Sequence, residues 1–206
     1  MKQFVQTIKI LNAEELKVAN AHMDTLEFGK STTFSSDGST NVSEIRTSTG
    51  STIFDKHSVT DMIHQRINEG LIEYKNRVVD QLGIAQDSYP VPGAYMTSSY
   101  REDIQVLEYI NGQKYSWHFD ECTNPESKFY HRKISVVLYL TNGFEGGYTS
   151  FKFGKYKPDA GYALFFPSNW CFSHCSTEVT SGKKRVAVTW YYTIDEWYNR
   201  YGHLQV

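Results

Sequence analysis

The alternation of apolar and polar positions divides the chain into a mixed N-terminal part and a C-terminal part rich in strands. Residues 3–10 alternate in the way an edge strand does. Apolar residues then recur at helical spacing from 16 to 26, and Asn12 with Glu15 three residues later forms an N-capping pattern. We therefore expect a strand followed by a short helix.

The longest helical pattern spans residues 58–82. Ser58 with Asp61 is a capping signal at its start, and Gly83 stands where a C-cap is expected. One face carries the apolar positions Ile63, Ile67, Leu71, Tyr74, Val78 and Leu82. Residues 31–52 hold 7 Ser, 6 Thr and 2 Gly, a composition that favours a surface loop. A loop of this length inside a compact domain is often functional.

From residue 102 onward the pattern is that of an all-β domain. Turn signals separate candidate strands over 103–110, 114–119, 132–141, 147–153, 161–166, 171–176 and 184–194. Strands at this spacing predict a sandwich or barrel. We expect a mainly β fold, a double-stranded β-helix (jelly roll) packed against N-terminal helices. Residues 1–206 would form a single domain, with a helical and lid-containing part over 1–100 and the core over 101–195.

Composition limits the function classes. The chain of 206 residues has 21 basic and 23 acidic residues, whereas a dedicated nucleic-acid binder usually has a basic excess. We expect no membrane partner, because no apolar run approaches the ~20 residues of a membrane span and the N-terminus lacks a signal-peptide pattern. Three cysteines cannot all pair, which favours reduced thiols and a cytoplasmic protein. Nothing in the sequence indicates the oligomeric state.

The sharpest chemical feature is His118-Phe119-Asp120. Residues i and i+2 of an extended chain point the same way, so the imidazole and the carboxylate can reach one point. Together they supply two-thirds of the 2-His-1-carboxylate triad that binds non-haem Fe(II). His174, on a later candidate strand, is a third ligand candidate. Taken singly, the tripeptide also suits a surface ion pair, and His174 also suits a core histidine.

Arg185 opens the last strand pattern, where Arg185, Ala187 and Thr189 would share one face. A guanidinium inside a barrel needs an anion, and a dicarboxylate held bidentately would supply one. As part of the basic run Lys183-Lys184-Arg185 it also suits a solvated surface position.

Five ordered blocks resemble the prolyl 4-hydroxylase type of 2-oxoglutarate/Fe(II) dioxygenase, over residues ~42–194. The second block matches the family's pattern of Tyr, Gly-Gln-x-Tyr and His-x-Asp almost position by position. The blocks are 45–50 (IRTSTG), 107–120 (LEYINGQKYSWHFD), 135–151 (SVVLYLTNGFEGGYTSF), 158–166 (PDAGYALFF) and 174–190, from His174 to Trp190.

The resemblance implies roles for individual residues. His118, Asp120 and His174 would bind Fe(II), and Arg185 would bind the C5 carboxylate of 2-oxoglutarate. Lys184 stays an alternative, because several prolyl hydroxylases have a lysine at its spacing. The residues that would line the cosubstrate pocket are Tyr109, Tyr139 and Thr189, although the tyrosines also suit plain core positions.

The reaction implied is hydroxylation of an unactivated C–H bond, first of all in peptidyl proline. It would use Fe(II), 2-oxoglutarate and O2, with ascorbate as a candidate reductant. The Ser/Thr-rich segment resembles the family's mobile loop over a peptide, so Arg46 and Ser48 would contact substrate. Aromatic walls for a prolyl ring would come from Tyr115, Trp117, Trp170 and Trp190. The family pattern is interrupted by a longer region over 80–101, which would alter the substrate cleft.

Other functions fit part of the pattern. Free proline or another amino-acid side chain is the second candidate substrate. Related nucleic-acid demethylases carry a second arginine where this chain has Tyr191, so no nucleic-acid partner is expected. Asp120 disfavours halogenation, in which that position lacks a carboxylate. A non-catalytic jelly roll for binding or structure explains the strands but not the order of His-x-Asp, His and Arg.

Overall fold

The computed structural model describes residues 1–34, 40–41, 44–53, 57–83, 101–125 and 127–192. Within these ranges it has two α-helices, α1 (Ala13–Met23) and α2 (Ser58–Leu82). The strands are β1 (Gln6–Lys9), β2 (Gly29–Lys30), β3 (Thr33–Phe34), β4 (Thr40–Asn41), β5 (Thr49–Ile53), β6 (Ile104–Tyr109), β7 (Tyr115–His118), β8 (Arg132–Tyr139), β9 (Glu145–Gly146), β10 (Thr149–Phe151), β11 (Gly154–Tyr156), β12 (Tyr162–Pro167), β13 (His174–Ser176), β14 (Val179–Ser181) and β15 (Lys184–Tyr192).

Two antiparallel sheets form the core. The larger has seven strands in the order β1-β12-β8-β15-β6-β5-β2, and the smaller has four in the order β11-β10-β13-β7. Short pairs β14-β9 and β3-β4 accompany them. The architecture is the predicted double-stranded β-helix, mainly β with flanking helices.

Apolar side chains on the two faces of the larger sheet pack into two separate clusters. On β15, Val186 and Trp190 join the cluster between the two sheets, together with Phe151 of the smaller sheet. Ala187 and Tyr191 of the same strand join the other cluster, which contains the apolar face of α2. The alternation of side chains along a strand therefore divides β15 between the barrel interior and the helical layer.

The helices begin and end for local reasons. At α1, the Asn12 side chain accepts from the Glu15 amide while the Glu15 carboxylate accepts from the Asn12 amide, as predicted. Helix α2 has the predicted bounds, and Gly83 ends it with φ 61°. Its N-cap is His57 rather than Ser58, because the His57 ring accepts from the Val59 amide. Among the residues described above, no helix is long and apolar enough to cross a membrane.

The N-terminal part differs from its prediction in two places. Residues 2–4 form a 3-10 helix, so the first strand is shorter than the expected 3–10. The expected loop over 31–52 contains β3, β4 and the start of β5, and β5 pairs with β6 in the larger sheet. A Ser/Thr/Gly strand has no apolar alternation to reveal it, although Gly50 fits closely against Leu107 across the sheet. Most of the predicted insertion, residues 84–100, lies outside the described residues.

Candidate metal and cosubstrate site

The three predicted metal ligands come together at one end of the smaller sheet. His118 ends β7, His174 begins β13, and these two residues are direct partners across the strands. The Asp120 carboxylate lies between them, with Oδ1 3.6 Å from His118 Nε2 and Oδ2 3.7 Å from His174 Nε2. All the potential ligand atoms lie within 4.8 Å of one another. The structure thus assembles two imidazoles and one carboxylate around a point where one ion can bind.

Backbone carbonyls orient both imidazoles. His118 Nδ1 lies 2.8 Å from the Ser116 carbonyl oxygen, and His174 Nδ1 lies 3.0 Å from that of Phe172. Because a carbonyl only accepts, each Nδ1 carries the proton in the neutral ring, and each Nε2 presents a lone pair toward Asp120. This is the tautomer that a metal ligand needs.

The Asp120 carboxylate is held by neighbouring hydroxyl groups. Ser135 Oγ donates to Oδ2 over 2.6 Å and lies 2.8 Å from Ser168 Oγ. The Asp120 amide donates to the Ser168 carbonyl over 3.1 Å. Both the side chain and the backbone of Asp120 are therefore fixed before any ligand binds.

The electrostatics of the cluster favour neutral imidazoles and an ionised carboxylate. Burial, with the neighbouring His174, lowers the pKa of His118 to about 3. Burial alone would raise the pKa of Asp120, but His174, His118 and Arg132 together lower it to about 2. At neutral pH the donor set is the one that a divalent transition metal prefers.

A β-bulge on β7 determines which of its side chains face the cavity. His118 pairs with His174 and Tyr115 with Ser176, so three steps along β7 match two along β13. The Tyr115 and His118 rings therefore face the same way and stack, with centroids 3.7 Å apart. Trp117 points outward, 44% exposed and beneath Lys152 Nζ, and it does not line the cavity, so its predicted contact with substrate stays a prediction.

The three candidate metal ligands lie in a cavity of about 340 Å³ between the sheets. Lys184, the first residue of β15, reaches into it with only 1% of the residue exposed. Its Nζ donates to Ser176 Oγ over 2.9 Å and lies 5.1 Å from the centre of the Tyr109 ring. Burial lowers the pKa of Lys184 to about 7. Among the described residues no carboxylate lies within ion-pair distance of this ammonium, which therefore can accept an anionic ligand from the cavity.

Arg185 lies on the opposite face of β15, and its predicted place in the cavity is wrong. Directly across the sheet it faces Glu108, whose Oε1 accepts from Arg185 Nε over 2.7 Å. Arg185 Nη2 also donates to Asp24 at the end of α1 over 2.7 Å. Thr189 shares this outer face and donates to the Glu102 carbonyl over 2.6 Å. Both residues thus belong to the layer between sheet and helices, because side chains alternate along the strand.

Some of the other predicted site residues line the cavity and others do not. Arg46, Tyr109, Tyr115 and Trp190 line the cavity. The Tyr139 hydroxyl, 2.8 Å from Thr149 Oγ1, is buried beside it. Ser48 is buried outside the lining and donates to Ser31 Oγ over 2.9 Å. Exposed Trp170 is also absent from the lining.

Sequence reasoning missed several lining residues, among them Arg132, Ser135 and Ser176. Arg132 opens β8, and Glu102 accepts from its Nε and Nη2 over 2.5 and 2.7 Å. One signal could have indicated this buried pair: a basic residue stands at the start of one apolar strand, and an acidic residue stands just before another apolar strand.

The family comparison agrees with this geometry. A model of the 2OG-Fe(II) oxygenase superfamily matches residues 104–193, from β6 to the end of β15. This region of the chain is therefore similar to that superfamily. The match contains the three candidate ligands and Lys184, and it begins after the N-terminal helices.

Curated relatives match less than half of this chain. A putative prolyl 4-hydroxylase from Acanthamoeba polyphaga mimivirus is 37% identical over 107 residues, covering 44% of each chain. Prolyl 4-hydroxylase subunit alpha-3 from Rattus norvegicus is 30% identical over 115 residues, covering 49% of this chain and 21% of the other. The chain therefore spans less than half the length of these relatives.

Solved structures of prolyl hydroxylases share the fold over nearly the whole chain. The viral collagen prolyl hydroxylase of Paramecium bursaria Chlorella virus-1, solved as a 2OG complex, aligns with a TM-score of 0.64 and 24% identity, covering 93% of this chain and 97% of that one. A Trichoplax adhaerens prolyl hydroxylase with a hypoxia-inducible-factor peptide fragment aligns with a TM-score of 0.65 and 18% identity, covering 99% and 88%. At these identities the likeness establishes the fold.

Proposed function

We propose that this protein is an Fe(II)- and 2-oxoglutarate-dependent oxygenase that hydroxylates peptidyl proline. The observation that carries the proposal is the His118-Asp120-His174 cluster in one cavity with the buried ammonium of Lys184. The two imidazoles and the carboxylate are the donors that a divalent metal needs, and the ammonium is the cation that a dicarboxylate cosubstrate needs. A binding or structural jelly roll has no use for this combination.

The donor set fits the cofactors of the superfamily. His118, His174 and Asp120 would hold Fe(II), and Lys184 would hold the C5 carboxylate of 2-oxoglutarate, with Ser176 and Tyr109 beside it. When bound, the metal and cosubstrate supply the chemistry by which O2 is split, one atom entering a substrate C–H bond and the other entering succinate as CO2 is lost. Ascorbate remains a candidate reductant.

The protein's own residues would position the metal ligands and shield the reacting carbon from water. Ser135 keeps the Asp120 carboxylate in one rotamer, and the carbonyls of Ser116 and Phe172 keep both imidazole lone pairs aimed at one point. Tyr115 and Trp190 give the cavity apolar walls that exclude water from the reacting carbon. These walls suit the flat, apolar face of a prolyl ring.

Peptidyl proline is supported by the relatives. Several curated relatives are named prolyl 4-hydroxylases, and one structural neighbour was solved with a peptide fragment. The single-domain division, a cytoplasmic location and the absence of a nucleic-acid or membrane partner stay predictions. The described thiols of Cys122, Cys171 and Cys175 are free, as a reducing compartment would keep them.

The proposal is tested by turnover. Purified protein with Fe(II), 2-oxoglutarate, ascorbate and O2 would be given a set of proline-containing peptides, with succinate and a one-oxygen mass gain as readouts. We expect both products in equal amounts, and neither from Asp120→Ala. Succinate without peptide oxidation would point to a different substrate, and no succinate under any condition would overturn the assignment as an oxygenase.

A further inference from the structure

Arg46 presents an uncompensated positive charge at the cavity. Its Nε atom is buried and has no hydrogen-bond partner among the described residues, while Nη1 donates to the Thr32 carbonyl over 3.2 Å. No carboxylate of the described residues lies within 4.0 Å of the guanidinium. Glu44, two residues earlier, is exposed and does not line the cavity. A buried N–H without a partner is costly, which indicates that a ligand completes it.

The other charges that line the cavity already have partners or proposed ligands. Arg132 is neutralised by Glu102, and both side chains are only 9% exposed. Asp120 is assigned to the metal, and Lys184 to the cosubstrate. Arg46 and Lys30 remain, and both line the cavity, Lys30 at the end of β2 and Arg46 three residues before β5. The whole chain has a net charge of −2, so the positive charge of Arg46 and Lys30 is a local feature of this end of the cavity.

Arg46 is held in place close to the metal ligands. Ser116 N donates to the Ile45 carbonyl over 2.8 Å, and Thr47 N donates to the Lys114 carbonyl over 3.0 Å, so hydrogen bonds to the β7 region flank Arg46 on both sides. Its guanidinium carbon lies 5.0 Å from the centre of the Tyr115 ring, which stacks on His118. One aromatic ring therefore separates the cation from a metal ligand. A substrate group on Arg46 would be within a residue or two of the oxidised carbon.

We propose that the substrate is an acidic peptide, in which an aspartate or glutamate close to the hydroxylated residue pairs with Arg46. Lys30 adds long-range attraction at the exposed rim of the same cavity. The inference rests on the proposed function and adds a charge class to its substrate. A fixed guanidinium with an open N–H selects a carboxylate over the neutral amide of the same shape.

The test is a matched peptide series. A neutral proline-containing host peptide would carry a single Glu, Gln or Lys at each of the three positions on either side of the proline. With the Fe(II)-loaded protein and 2-oxoglutarate, kcat/KM would be measured from the mass gain. We expect at least one position at which Glu exceeds Gln by about tenfold or more, and at which the preference weakens as salt is added.

Variants separate recognition of charge from general damage. Arg46→Gln should remove the preference for Glu, Arg46→Lys should keep part of it, and Arg46→Glu should favour the Lys peptide. Arg77→Gln, on the exposed face of α2, is the matched control and should keep the parent's preference. Equal rates for Glu, Gln and Lys peptides at every position would overturn the inference and leave the hydroxylase assignment intact. If no peptide is oxidised and no succinate forms, the proposed function itself fails, and the inference falls with it.

Discussion

Lys184 and Arg185 are neighbours in the chain, yet their side chains serve opposite sides of one strand. Lys184 enters the cavity toward Ser176, whereas Arg185 faces Glu108 and the end of α1. Two consecutive basic residues fit either face of a strand equally well in a sequence pattern. The face is decided by the register of β15 against β6, in which Lys184 is opposite Tyr109 and Arg185 is opposite Glu108.

This difference predicts contrasting variants. Lys184→Met should raise the 2-oxoglutarate concentration needed for half-saturation by about 10- to 100-fold, since a charge-assisted contact of about 1.5–3 kcal/mol is lost. Arg185→Gln should change that concentration little but lower the free energy of unfolding by about 2 kcal/mol, because Glu108 loses its buried partner and keeps only the exposed Lys183. Cosubstrate titration and urea unfolding of both variants check the pair. The reverse pattern would place Arg185 in the site.

The pH dependence of cosubstrate binding should follow Lys184. Burial lowers its pKa to about 7, below the ordinary lysine value of 10.5. As pH rises through 7, the free protein loses the ammonium, so affinity for the 2-oxoglutarate dianion should fall, by up to about tenfold per pH unit. The same depressed pKa makes this group's contribution to the stability of the free protein rise from pH 7 toward 10.5, because the unfolded chain keeps its proton there. Lys184→Arg should flatten the affinity profile between pH 6 and 9. If the affinity of the parent protein were equally independent of pH, the role of Lys184 in cosubstrate binding would be refuted.

At the scale of elements, the bulge in β7 orients side chains in a way that no periodic pattern predicts. Regular alternation would place Tyr115 and Trp117 on one face and His118 on the other. The extra residue opposite β13 instead turns Tyr115 and His118 into the cavity together and leaves Trp117 outside. The site gains a stacked ring beside a candidate metal ligand, and one regular strand pair is lost.

Helix α2 packs on the larger sheet through a glycine. A Cβ added at Gly70 would lie 2.5 Å from Ile10 Cδ1 and 2.9 Å from a Phe165 ring atom. Gly70→Ala should therefore lower the free energy of unfolding by about 1–2 kcal/mol, because overpacking outweighs the gain of about 1 kcal/mol in helix propensity. Asn76→Ala, on the exposed face of the same helix, should stabilise slightly. Denaturant unfolding compares the two, and stabilisation by Gly70→Ala would show that the interface has room.

Elements with strong local signals could be predicted from the sequence. The bounds of α2 follow from its apolar period and from Gly83, and α1 follows from the capping pair of Asn12 and Glu15. Strand β5 could not be found, because its Ser, Thr and Gly residues carry no alternation and its register exists only against β6. Local signals specify elements, whereas pairings between distant strands need the folded sheet.

At the scale of the whole molecule, the larger sheet separates two apolar layers. The outer layer attaches α1 and α2 to the larger sheet, and the inner layer surrounds the cavity between the sheets. The clustering of His118, Asp120 and His174 was predictable from His-x-Asp, a distal histidine and the family resemblance. The place of Arg185 was not, because it depends on which side of that sheet becomes the interior.

The most direct test of the account is the visible spectrum of the anaerobic protein with Fe(II) and 2-oxoglutarate. A weak charge-transfer band should form in the parent, disappear in His174→Ala and require much more cosubstrate in Lys184→Met, while Arg185→Gln behaves as the parent does. No band in a folded parent that also fails to bind iron would contradict the central claim that His118, Asp120, His174 and Lys184 form one cofactor site.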